Sequence, residues 1–180
     1  SVHAARPWLG DNPLERLVDA VSRLRKDFDS LSINKDYWHP TCTLTILKTP
    51  NQTVNCIPSE AEGTLDVRFP APYTVDQILN HICNILGDEI DTHTIMSAEA
   101  TRFTPDPLYL SVSEEITGKP TLQKKEDGGS DARFIGHHNI PVIVSRPIVG
   151  ELHSLDEWID ISSMETFYHI YERYLERKLL

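Results

Sequence analysis

Residues Asn55–Pro70 read NCIPSEAEGTLDVRFP, and the second half of this stretch decides the fold. From Glu62 to Phe69, Leu65, Val67 and Phe69 alternate with Thr64, Asp66 and Arg68. A period of two puts the apolar set on the inner face of a half-buried strand and the polar set outside. Upstream, Thr41–Ile46 alternates threonines with Cys42, Leu44 and Ile46, which predicts a second strand. The two are expected to pair antiparallel, joined through Pro50 and the Asn55–Pro58 segment.

Helical patterns flank the hairpin. Asp11-Asn12-Pro13 is a helix start with Pro at the first helical position. Leu14, Leu17, Val18, Val21, Leu24 and Phe28 follow at helical spacing, predicting a helix over 13–28. Thr74 and Gln77 form a capping-box pattern, and a stripe of Val75, Ile78, Leu79, Ile82, Ile85 and Leu86 stops at Gly87. Thr92–Thr101 reads as a further strand. The order helix, strand, strand, helix, strand is a βαββαβ ferredoxin-like unit without its first strand. Together with a start at Ser1 rather than Met, this leads us to expect an upstream portion.

Pro, Asp and Thr dominate residues 103–107, which places a boundary near 105. Domains over 1–105 and 106–180 are expected. The second holds a helix near Leu110–Thr117, a turn at Gly118-Lys119-Pro120, strands near Thr121–Lys125 and Pro141–Val144, and a long terminal helix. Ser162 and Glu165 read as its capping box, and Met164, Phe167, Tyr168, Tyr171, Tyr174 and Leu175 as its apolar face. At about 75 residues this α/β remnant is too small for a convincing core of its own.

Charge narrows the partners. Acidic residues outnumber basic ones 27 to 17, a net charge of −10, so the chain offers no cationic surface for nucleic acid or anionic membrane. No stretch approaches the roughly 20 apolar residues of a membrane-spanning helix. Cys42, Cys56 and Cys83 have no paired spacing and read as buried free thiols, which predicts a reducing cytoplasm. Asn51-Gln52-Thr53 matches a glycosylation acceptor triplet, a pattern common by chance.

The candidate chemistry is spread along the chain. His153 lies between an apolar strand and a helix, beside Asp156 and Glu157. A neutral imidazole whose other ring nitrogen is held by a carboxylate suits zinc, although one histidine among carboxylates is more often a surface residue. Gly128-Gly129-Ser130 precedes a short helix, where backbone amides can approach an anion or simply turn the chain. Adjacent His137 and His138 cannot face one ion and are expected to face solvent. Arg68 is placed to grip a carboxylate or to pair with Asp66 or Glu62. Asn55 is a turn residue or a ligand contact, and His3 near the terminus is by default solvated.

These pieces, in order, resemble the co-catalytic zinc peptidases and amidohydrolases that include succinyl-diaminopimelate desuccinylase, acetylornithine deacetylase, aminoacylase and carboxypeptidase G. SVHAARPWLGDNP is similar to the family's entry into its lid domain, NCIPSEAEGTLDVRFP to its Asn-x-Ile-Pro to Asp-x-Arg hairpin, and GGSDARFI to the desuccinylase Gly-Thr-Ser-Asp-Gly-Arg-Phe loop. HSLDE stands where the family keeps its last metal-binding histidine.

The resemblance implies a ferredoxin-like lid that forms a homodimer, followed by the closing part of a catalytic domain holding two zinc ions, replaceable by cobalt or manganese. It implies hydrolysis of an amide next to a free carboxylate, in an N-acyl amino acid or dipeptide. His3 would stabilise the oxyanion. Asn55, Arg68, Gly128, Gly129 and Ser130 would bind substrate, His153 would ligate metal, and Asp156 and Glu157 would support it. The family's His-x-Asp motif, its Glu-Glu pair and one further acidic ligand normally lie upstream of the lid, and the chain holds none of them there, so these 180 residues alone are expected to be catalytically silent. Gly-Gly in place of Gly-Thr leaves the acyl specificity open. The competing reading is a non-catalytic ferredoxin-like module for dimerisation or small-ligand binding.

Overall fold

In a computed structural model, residues 2–32, 38–126, 128–136, 138, 140 and 142–180 are described. The chain divides into two compact units, Ser1–Ala100 and Thr101–Leu180. Both are mixed α/β, and each small sheet has two strands among the described residues.

In the first unit, helix α1 spans Pro13–Ser30, strands β1 and β2 span Thr41–Lys48 and Glu62–Arg68, and helix α2 spans Val75–Leu86. Asn12 caps α1 by accepting from the Leu14 amide at 3.2 Å, and Pro13 opens the first turn. At α2 the predicted capping box is present in both directions: Thr74 accepts from the Gln77 amide, and Gln77 accepts from that of Thr74. Gly87 ends α2 at a φ of +69°, the left-handed region where a Cβ is disfavoured.

The strands pair antiparallel, Cys42 with Val67 and Leu44 with Leu65. Ala20, Leu24 and Phe28 of α1 and Ile78, Ile82 and Leu86 of α2 form the buried core, closed by Cys42, Leu65, Val67 and Phe69. Gly63 lets α1 approach the sheet, since a Cβ there would meet Leu44 at 3.2 Å and Leu17 at 3.5 Å. His81 of α2 meets Asp27 of α1 at 2.5 Å, and its ring packs tilted against that of Phe28, the centroids 5.8 Å apart.

Three expectations for this unit are corrected. The register shifts between Leu44 and Ile46, so a bulge at Thr45 breaks the alternation and leaves Ile46 half exposed rather than inward. Thr92–Thr101 forms no strand: it buries no apolar face, and Ile95 and Met96 are each 78% exposed. Its Glu99 carboxylate instead accepts from the Val75 amide at the start of α2, where the helix dipole favours an anion. Of the three thiols, all free, Cys42 and Cys56 are partly buried, but Cys83 is exposed on α2. Burial pushes the Cys42 thiol up, which keeps it protonated.

The second unit contains helices α3 (Pro107–Thr117), α4 (Ala132–Gly136) and α5 (Ile161–Leu179), with a hairpin of β3 (Val149–Gly150) and β4 (Trp158–Ile159). Its core is small: Tyr109 and Val112 of α3 against Ile170 of α5, flanked by Tyr171 and Tyr174. Asp106 ties these helices. It caps α3 through the Leu108 amide (2.9 Å) and accepts from Lys178 Nζ (2.8 Å) and the Tyr174 hydroxyl (2.9 Å) of α5. Lys178, then the amide and the phenol, pull the Asp106 carboxyl down to about 2.

Here too the sequence-based expectations need correction. The cap of α5 is Asp160, whose side chain accepts from the Ser163 amide and the Ser162 hydroxyl, not a Ser162–Glu165 box. The face of α5 turned to α3 centres on Ile170, while Tyr168 and Leu175 stay exposed. No strand forms at Thr121–Lys125 or Val142–Val144, and Pro141 lies outside the described residues.

Two outcomes follow. Leu24, fully buried, should cost about 2–5 kcal/mol on Leu24→Ala, read as a loss of chemical-denaturation stability. A depressed Asp106 carboxyl stabilises the fold fully above the unfolded value of about 3.9 and loses that contribution as pH falls through about 2. Asp106→Asn should therefore flatten the acid branch of the urea midpoint between about pH 4 and 2, followed by NMR on α3 and α5.

Candidate functional site

In the first unit the chain start is paired to the turn before β2. His3 forms an isolated antiparallel bridge with Cys56. The Ala4 amide donates to the Asn55 carbonyl at 2.8 Å, and the Ile57 amide to the Val2 carbonyl at 2.7 Å. Ile57 and Pro58 are buried, so the turn is anchored on one side while His3 and Asn55 stay exposed on the other.

The ring of His3 has a defined polarity. Its Nδ1 accepts from the Ala5 amide at 3.1 Å. An accepting Nδ1 carries no proton, so in the neutral ring Nε2 is the N–H donor. The backbone thus leaves Nε2 as the available donor of an exposed ring.

Arg68 closes β2 opposite Thr41. Its guanidinium forks onto Asp66 two residues earlier on the same face, Nε to Oδ1 at 2.5 Å and Nη2 to Oδ2 at 2.8 Å. The hydrogen bond from Arg68 and its charge hold the Asp66 carboxyl below the usual range. Of the two roles read from the sequence, pairing with Asp66 is the one observed, and an incoming carboxylate would have to share this exposed fork.

In the second unit the Gly128-Gly129-Ser130 turn leads into α4. Ser130 Oγ accepts from the Ala132 amide at 3.2 Å, and its carbonyl accepts from Arg133. A Cβ on Gly129 would lie 3.0 Å from the Arg133 guanidinium, so that glycine accommodates the arginine. His138 is exposed, and His137 lies outside the described residues.

His153, Asp156 and Glu157 all lie exposed in the β3–β4 loop. The loop is bent by its own backbone: Glu151 and His153 have φ of +50° and +66°, and the Ser154 amide donates to the Glu151 carbonyl at 3.0 Å. Left-handed conformations at non-glycine residues cost on the order of 1 kcal/mol each and cluster where a side chain must be aimed. Below the loop, Trp158 lies across Gly150, where a Cβ would sit 2.4 Å from the indole. Among the described residues no three His, Cys, Asp or Glu side chains converge to hold a metal, and neither Asp156 nor Glu157 bonds to His153. This donor set does not by itself fit a zinc ion, which takes about four ligands.

A family model described as the peptidase dimerisation domain, M20 type, matches residues 1–94. The chain belongs to the M20 peptidase family. Among its relatives, succinyl-diaminopimelate desuccinylase of Acidiphilium cryptum is 30% identical over 182 residues, which cover 97% of this chain and 48% of that protein. Desuccinylases of Magnetococcus marinus and Parvibaculum lavamentivorans are 27% and 30% identical, over 97% and 96% of this chain and 47% and 46% of theirs. The chain spans about half the length of the curated relatives it matches. Among the described residues of this M20 chain, no helix is long and apolar enough to cross a membrane.

Among the side chains with defined contacts that sequence reading did not single out are Asn51, seen only as part of a glycosylation triplet, and Asp106, seen only as linker. The Asx spacing Asn51-x-Thr53 and an Asp immediately before Pro107 were the available signals. For Arg68 the expected outcome is that Arg68→Gln returns the Asp66 carboxyl toward the ordinary carboxylate range, measured by NMR titration.

Proposed function

We propose that the protein is a metal-dependent amidohydrolase of the desuccinylase and deacylase kind, hydrolysing an amide next to a free carboxylate. In this reading residues 1–105 belong to a ferredoxin-like lid that forms a homodimer, with α1-β1-β2-α2 as its kernel, and residues 106–180 close the catalytic domain. The observation that carries it is the bridge of His3 to Cys56, with Nδ1 occupied by backbone and Nε2 left as donor.

Addition of water to an amide carbonyl puts negative charge on its oxygen, and a fixed N–H donor is worth most at that moment. His3 supplies that donor, and Asn55 orients the acyl group. The Arg68 fork, shared with Asp66, meets the substrate carboxylate. Gly128, Gly129 and Ser130 offer backbone amides to the substrate. His153 would supply one imidazole ligand to a zinc ion whose other ligands are not among the described residues, with Asp156 and Glu157 beside it in the same loop. Free thiols support a cytoplasmic setting.

The test uses the intact protein with N-succinyl and N-acetyl amino acids as probes. His3→Ala should lower kcat about a hundredfold with zinc content unchanged, since one oxyanion donor is worth that much. His153→Ala should lower bound zinc, measured by atomic absorption. Unchanged zinc in the second variant would remove His153 from the ligand set.

A further inference from the structure

We propose that Asn51 is a positioning residue for His3, acting through the backbone of the turn that His3 pairs with. The proposal rests on the reading of His3 as the oxyanion donor and extends it to a residue that makes no contact with substrate.

Asn51 is half-buried at the foot of the turn, and its side chain is fully engaged. Both hydrogens of its carboxamide are donated, to the Thr53 carbonyl at 3.1 Å and the Cys56 carbonyl at 2.9 Å. Its Oδ1 accepts from the Thr53 amide at 3.1 Å. The Asn51 amide in turn donates to Thr49 Oγ1, which donates to the Glu60 carbonyl at 2.8 Å across the base of the loop. One side chain thus satisfies three backbone groups of a turn whose tip, Val54 and Asn55, is exposed and gains little from packing.

Cys56 is the residue at which this clamp and His3 meet. Its carbonyl is held by Asn51, and its backbone forms the bridge to His3. The two backbone bonds that tie Val2 and Ala4 to the turn leave from Ile57 and arrive at Asn55, on either side of Cys56. A shift of the turn therefore moves the imidazole. An ångström of displacement is enough to cost a well-aimed donor much of its effect.

Only asparagine fits the pattern. Aspartate would keep the acceptor for Thr53 but face two carbonyl oxygens with a carboxylate oxygen, and alanine would keep nothing. The same contacts argue against Asn51 as a glycan acceptor in the folded chain, because its nitrogen has no hydrogen to spare.

The experiment compares Asn51→Asp, His3→Ala and the double variant in the intact protein. Amides of Ala4 and Ile57 should exchange with solvent at least about tenfold faster in Asn51→Asp, with the β1–β2 ladder unchanged. For the N-acyl amino acid probes, kcat should fall about tenfold with KM held within about twofold, and no further fall should appear in the His3→Ala background. Unchanged exchange at Ala4 and Ile57, or kcat losses that multiply in the double variant, would overturn the proposal. Faster exchange combined with wild-type kcat in His3→Ala would instead overturn the oxyanion reading, and with it the catalytic half of the proposal.

Discussion

The register of the β1–β2 ladder governs the first unit. With Cys42 opposite Val67 and Leu44 opposite Leu65, the apolar residues of both strands meet α1 and α2, and Asp66 and Arg68 are left outside. A slip of one residue would exchange these faces, burying a guanidinium and its carboxylate and exposing the core. Burial of a charge is far costlier than exposure of a leucine, so the ladder has one acceptable alignment. That alignment also brings the loop between the strands back against the chain start, where Cys56 bridges to His3.

Much of this was legible because short-range chemistry dictates it. The α1 start needs only Asn12 and Pro13, and the α2 box only Thr74 and Gln77. Period-two patterning located β1 and β2 to within a residue or two. The carboxyl partner of Arg68 was among the sequence alternatives because Asp66 stands two residues away on the same face. What decided between pairing and ligand binding was the fork geometry, which no spacing reveals.

The misreadings share a different cause. Ile46 looked inward by alternation, but the bulge at Thr45 resets the phase, and a bulge leaves no mark when threonine occupies it. Thr92–Thr101 alternates well enough for a strand, yet strands need a neighbouring edge and a buried face, neither visible in one segment alone. Asp160 and Ser162 are both good caps, and a difference of two residues was settled by which side chain reaches the Ser163 amide. Asp106 was missed because its partners, Tyr174 and Lys178, are about seventy positions away in the chain. The metal reading of His153 meets the same difficulty, since coordination is a property of convergence and a linear order of residues does not report it.

The indole of Trp158 lying flat over Gly150 has a consequence for how this region can drift over generations. Two-residue strands hold their alignment weakly by hydrogen bonds alone, so the ring acts as a latch for the loop above it. Nineteen of the twenty amino acids would put an atom into the space the ring already fills. Position 150 is thus closed to change as long as position 158 keeps its tryptophan.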